Sequence, residues 1–216
     1  MEVNILLQQL DYIFFFYGAS FFVLGTVCFA ILRRGVDTNV LPWWWLGLFG
    51  FIHGLNEWLD MIALSLGDGF LFKTVRLFVL VSSFVFLMEF ARRSSVEVFK
   101  KKIGAGFYVV LFIIASLGIW ADWPGLNASV RYCFGLVSGL WTAVIFFRYK
   151  GPKDRLLPKS SAFLLRMAGV GMFLYGLATG LVVPEAHVFP ATLLNTNTFH
   201  LFFHLPVQFF RGIFAF

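Results

Sequence analysis

Residues 70–91 read FLFKTVRLFVLVSSFVFLMEFA, followed at once by Arg92-Arg93 and shortly afterwards by Lys100-Lys101-Lys102. The run has the length, about 20 mainly apolar residues, that a helix needs to cross a bilayer. Before it stands Gly67-Asp68-Gly69, a turn with neither lysine nor arginine. Basic residues collect in the loops that stay in the cytoplasm. One segment therefore predicts a transmembrane helix and its direction, with residue 70 outside and residue 91 inside.

Further apolar runs of the same kind lie on both sides, at about 12–32, 43–66, 103–120, 128–147, 162–183 and 198–216. Turn-forming Asp122-Trp123-Pro124-Gly125 and Gly151-Pro152-Lys153-Asp154 separate later runs. Arg33, Arg34, Arg92, Arg93, Lys100, Lys101, Lys102, Arg148, Lys150, Lys153, Arg155 and Lys159 all fall between runs one and two, three and four, or five and six. The other loops are nearly free of basic residues, apart from Lys73 and Arg131 just inside helix starts. Seven spans satisfy this alternation, and the expected fold is an all-α seven-transmembrane-helix bundle with its N-terminus outside and its C-terminus cytoplasmic. The first run is too long for a cleavable leader, and the acidic Glu2 and Asp11 precede it where a basic segment would be needed.

Composition agrees. Of 216 residues 60% are hydrophobic and 13% charged, 30 are phenylalanine, and the mean hydropathy is +0.84. A soluble domain carries roughly a quarter charged residues, so a water-soluble globule, a disordered tail and a nucleic-acid-binding module are excluded. The net charge of +6 reads as a topology signal whose partner is the anionic lipid headgroup. Cys28 and Cys133, both in apolar runs, offer no disulfide framework. The pairs Gly50/Gly54, Gly135/Gly139 and Gly176/Gly180 are small-residue seams for helix packing. Trp43-Trp44-Trp45 is expected at the cytoplasmic headgroup level.

Ionisable groups inside a span are costly and so mark candidate sites. His53, Asn56, Glu57 and Asp60, at offsets zero, three, four and seven, share one face of span two. His200, His204, Gln208 and Arg211 form a similar stripe on span seven. At 1.5 Å per residue, His53 lies about 15 Å from the cytoplasmic edge, His204 about 10 Å from the outer edge, and Glu57 and Arg76 each about 9 Å from the outer edge. These depths bring Glu57 and Asp60 together with Arg76 and Arg131 in the outer half. The candidate ligand-binding set is His53, Asn56, Glu57, Asp60, Arg76, Arg131, Gln208 and Arg211, in a pocket between spans two, three and seven. His53 with His204 or His200 is a candidate axial pair for a b-type haem. All three histidines together would suit zinc with an open position for water. A quinone, its carbonyls bonded by histidine, carboxylate and arginine, fits the same groups. His187 is read as a solvated loop residue, and the segment 184–197 as a cap on the outer end.

Phe199-His200 followed by His204 resembles the seventh-helix HxxxH of alkaline-ceramidase-type hydrolases, which place a third histidine on helix two where His53 stands. Phe49 and Leu64 occupy that family's serine and aspartate positions. A wider resemblance rests on two other stretches. Phe49-Gly50-Phe51-Ile52-His53-Gly54-Leu55-Asn56-Glu57-Trp58-Leu59-Asp60 resembles the FGLLHGLxEWLD stretch of a bacterial membrane input region, and Leu205-Pro206-Val207-Gln208-Phe209-Phe210-Arg211 resembles its IPVQLFR stretch. His204 stands where that region usually has glycine.

The resemblance implies an N-terminal sensory module of the bacterial inner membrane, itself without catalytic residues. Its expected partners are the lipid bilayer, a second copy in a homodimer, and a cytoplasmic histidine-kinase or diguanylate-cyclase output domain beyond residue 216. A zinc-dependent intramembrane hydrolase and a small transporter or channel are the alternatives from other classes. Pro206 lacks a backbone donor and should kink span seven just past His204.

Overall fold

The computed structural model describes residues 9–33, 41–151 and 157–215. Glu2, Arg34, Pro152, Lys153, Asp154, Arg155 and Phe216 lie outside the described residues. The described chain is helical in nine α-segments: α1 Leu10–Arg33, α2 Trp43–Leu66, α3 Phe70–Phe99, α4 Phe107–Ser116, α5 Asp122–Val130, α6 Val137–Arg148, α7 Lys159–Gly180, α8 Thr196–Phe203 and α9 Val207–Ala215. A 3₁₀ turn, Leu117–Ala121, follows α4, and a π-helical turn, Arg131–Leu136, joins α5 to α6. Four helical stretches are long and apolar enough to cross a membrane: Leu10–Arg33, Phe70–Phe99, Phe107–Arg148 and Lys159–Gly180. The bundle turns large apolar side chains outward, among them Phe70, Leu71, Phe78, Ile113 and Phe202. Soluble monomers rarely expose such apolar surface in continuous patches, whereas lipid solvates it.

Helix ends follow local chemistry. Helix α2 stops at Gly67, whose φ of +82° glycine adopts without strain. The expected loop 122–125 shrinks to a reversal at Asp122, φ +62°. Pro124 is accommodated in the first turn of α5, where its missing N–H has no intrahelical partner to lose. Helix α3 runs on to Phe99, beyond the expected end at 91, because its carboxylate and arginines are satisfied along the helix. Glu89 is held by Arg92, Arg93 and the Tyr108 hydroxyl, and Arg92 also donates to Ile103 O.

The largest departure from expectation is in the last segment. The expected continuous span 198–216 is two short helices, α8 and α9, separated at His204-Leu205-Pro206. Proline disfavours helical backbone in the residue before it and cannot donate to the preceding turn. His204 closes α8 in the left-handed region, φ +55°. At its other end α8 has the expected start signal: the Asn195 side chain accepts from the backbone N–H of Asn197 and Thr198, and Thr198 Oγ1 accepts from Asn195 N.

Adjacent helices pack in sequence, α1 on α2, α2 on α3 and α6 on α7, while α3 lies on α6 and α9 fits against α1 and α7. A methyl group on Gly50 would meet the Gly25 nitrogen at 2.7 Å, and one on Gly54 the Gly18 oxygen at 2.8 Å. Both glycines of that pair thus serve the α1–α2 seam. Gly135 and Gly139 divide their work: Gly135 faces the Phe84 ring and Gly139 the backbone of Gly176. Of the tryptophan triplet only Trp44 is exposed. Trp43 stacks on Phe146 and Trp45 lies under the Arg93 guanidinium. The segment 184–195 folds back, tied by Thr196 N to Val183 O at 2.9 Å, and buries Ala186 and Ala191 with Ala128. His187 is exposed within it.

Candidate functional site

The apolar interior of the bundle closes around one imidazole. His53 is fully buried and is ringed by Tyr17, Phe21, Phe49, Phe84 and Tyr175, with centroid separations from 4.6 to 6.3 Å. Its Nδ1 lies 2.9 Å from Ser83 Oγ on α3. Its Nε2 lies 2.7 Å from the Tyr175 hydroxyl on α7 and 3.3 Å from Glu57 Oε1 on its own helix. The Ser83 hydroxyl donates to Leu80 O at 2.7 Å, so its oxygen accepts from His53 Nδ1–H. The remaining nitrogen, Nε2, then accepts from the Tyr175 hydroxyl. This tautomer is assigned from the hydrogen-bond network.

Helical spacing carries the network outward. Asn56 Nδ2 donates to Glu57 Oε1 at 3.3 Å, and one turn further Asp60 meets Arg76 Nε at 2.7 Å. Arg76 also reaches Asp68 in the α2–α3 turn at 2.8 Å. A partly open cavity of about 40 Å³ lies here, lined by Asn56, Asp60, Asp68, Lys73, Arg76, Leu77, Leu80, Trp123, Asn127 and Arg131. Arg131, the first residue of the π-helical turn, is buried and donates from Nε to Asn127 Oδ1 at 2.9 Å.

The expected cluster of two carboxylates and two arginines is thus only partly assembled. Asp60 pairs with Arg76, whereas Glu57 turns to His53 and Asn56, and Arg131 to Asn127. The pocket lies between α2, α3 and α5 with the π-helical turn; no residue of α8 or α9 lines it. Arg211 is buried outside the cavity lining but within electrostatic reach of Glu57, Tyr17 and Tyr175, with its guanidinium donating to Ala178 O at 3.0 and 3.1 Å and to Val182 O. It satisfies carbonyls at the C-terminal end of α7, where a helix leaves four acceptors unfilled and favours a cation. Gln208 is half-buried on the same short helix.

The three histidines do not form one group. His53 has both ring nitrogens engaged inside the bundle, His200 is half-buried and His204 exposed. Among the described residues no three His, Cys, Asp or Glu side chains gather as metal ligands. The physical cause is the break before Pro206, which puts His204 in a left-handed cap and ends the common stripe of His200, His204, Gln208 and Arg211. Ser83, Tyr175, Asn127 and the Glu89 cluster were not singled out by sequence reasoning. Only Glu89 carried a local signal, its arginines at i+3 and i+4.

Comparison with known proteins finds no matching family profile, no matching curated protein and no matching solved structure. The site must therefore be read from its own chemistry.

Replacing Arg211 by methionine tests its capping role. The chain should lose about 1.5–3 kcal/mol, the scale of hydrogen bonds to a charged group, because buried carbonyls of α7 are left without donors. Thermal unfolding can be followed, in a Cys133→Ser background, by reaction of a fluorescent maleimide with the buried Cys28 thiol. An unchanged midpoint in Arg211→Met would refute the capping role.

Proposed function

We propose that this chain is the membrane-embedded sensory input domain of a bacterial signal-transduction protein. It sits in the inner membrane as a seven-span bundle, N-terminus outside, and passes its state to a cytoplasmic kinase or cyclase. The observation that carries this reading is the connection of a polar cavity to a buried histidine. Asn56 lines the cavity and bonds Glu57; Glu57 adjoins His53; His53 bonds Tyr175 on α7. One turn beyond Tyr175, Arg211 of α9 grips the carbonyls of α7. A ligand-induced change at the cavity thus has a continuous set of contacts leading to the last helix of the bundle. The resemblance of residues 49–60 and 205–211 to a bacterial input region supports the same reading, as does the collection of basic residues in alternate connecting segments of the sequence.

The test joins a diguanylate-cyclase reporter after residue 216 and compares the wild type with His53→Phe and Glu57→Gln at matched membrane levels. Cyclic diguanylate should change by roughly fivefold or more, the lower end of ordinary coupling between sites. Identical output from all three chains would overturn the proposal.

A further inference from the structure

Taking the sensory reading as its basis, we infer that the cavity between α2, α3 and α5 binds a small oxyanion, a carboxylate or a phosphate, anchored by Arg131. The argument begins with charge. Three cations line the cavity, Lys73, Arg76 and Arg131, against two acids, Asp60 and Asp68. Both aspartates are spent on Arg76, at 2.7 and 2.8 Å. The lining therefore carries one net positive charge, with Lys73 and Arg131 out of direct contact with its aspartates, and disfavours a cationic ligand.

Arg131 is the more telling of the two. Its residue is 7% exposed, and among the described residues it forms no ion pair with any carboxylate. Nε is committed to Asn127 Oδ1, while among the described residues its terminal amino groups donate to no protein oxygen. Glu57 and Asp60 act on it through space without touching it, and a buried charge is better stabilised when a partner is directly hydrogen-bonded to it. The planar fork of a guanidinium matches two oxygens of a carboxylate or phosphate in a bidentate pair.

The backbone gives a separate indication. Arg131 opens the π-helical turn that joins α5 to α6, and such widened turns recur at functional sites. Here the turn interrupts an otherwise regular helix at the residue that faces the cavity. The cavity volume, about 40 Å³, against roughly 10–15 Å³ for one water on the same scale, suits a single carboxylate or phosphate group, with the rest of the ligand extending through the open side.

A free anion and a lipid headgroup share this chemistry, and the experiment separates them. The chain is placed in nanodiscs of phosphatidylcholine and titrated with succinate and with inorganic phosphate. A second set of discs contains phosphatidylglycerol. The readouts are the thermal midpoint and tryptophan emission, to which Trp123 in the cavity wall contributes. Saturable shifts with succinate or phosphate identify a soluble ligand; shifts that require phosphatidylglycerol identify a headgroup. Either supports the site if Arg131→Gln weakens the response about tenfold or more, as loss of a charged hydrogen bond predicts, and Arg131→Lys restores part of it.

Lys73→Gln, at the half-buried wall, provides a variant that leaves the buried arginine in place and should weaken binding and its salt dependence. No response in either disc, or equal responses in the wild type and both glutamine variants, overturns the inference. Oxyanion binding that leaves reporter output unchanged upholds the site and overturns the sensory reading. A reporter response to His53→Phe without any oxyanion binding overturns the site alone.

Discussion

Replacing Gly139 with leucine is expected to prevent recovery of a folded, monodisperse bundle, and Gly139→Ala to destabilise it by about 1–3 kcal/mol, the cost of overpacking a tight contact. Helices α6 and α7 meet backbone to backbone at this point. A Cβ at Gly139 would stand 2.7 Å from the Gly176 Cα and 3.3 Å from its nitrogen. No rotamer change relieves that clash, because the opposing atoms are main chain. The whole helix must move, taking Tyr175 and its bond to His53 with it.

In lipid the apolar effect does little to hold helices together, and close packing carries much of their association. A separation of even an ångström forfeits part of every van der Waals contact along the seam. Gly104 provides the control, since a methyl group there meets nothing within 4 Å, and Gly104→Ala should unfold with the wild type. Maleimide labelling of Cys28 during heating, in the same Cys133→Ser background, measures both. Wild-type behaviour in Gly139→Leu would show that the α6–α7 contact is looser than described.

His53→Ala should be the most damaging change in the polar network, costing about 3–5 kcal/mol, the range for truncating a buried aromatic ring. Two effects combine. The cage of Tyr17, Phe21, Phe49 and Phe84 is left around a cavity, and the Tyr175 hydroxyl and Ser83 oxygen lose their partners. His53→Phe keeps most of the ring volume and isolates the second effect, with about 1–3 kcal/mol expected for buried polar groups left unpaired.

Nitrogen NMR of the ring adds a readout that packing alone does not move. The Ser83 hydroxyl, already donating to Leu80 O, requires the proton on Nδ1. A ring protonated only at Nε2 would contradict the network, as would equal stability of the wild type and His53→Ala.

What could be read in the chain beforehand follows from the range of the forces involved. Helical class and the run at 43–66 are local properties, set by apolar length and by turn residues such as Gly67. The face shared by His53, Asn56, Glu57 and Asp60 is likewise local, because helical periodicity alone puts them there. Depth counting at a fixed rise was enough to bring Asp60 near Arg76, two residues on adjacent helices joined by a short turn. It could not separate Glu57 from Asp60 as the partner of that arginine. One turn of helix decides this, and the decision depends on which side chain His53 and Asn56 have already engaged.

Partners more distant in sequence carried no signal. A serine or tyrosine in an apolar helix is ordinary, so nothing marked Ser83 and Tyr175 until α3 and α7 brought them to opposite sides of one imidazole. Arg211 was visible as a buried cation, but its use was not. Pro206 broke the last helix and turned the arginine toward the carbonyl end of α7, while His204 was left in the exposed cap. By itself the sequence determined helices, their apolar faces and the side chains that need partners, since these depend on composition and periodicity within one segment. Only the tertiary structure decided which partners they have. That choice depends on helix rotation and axial position to within a few ångströms, and those are set by contacts such as Gly139 on Gly176.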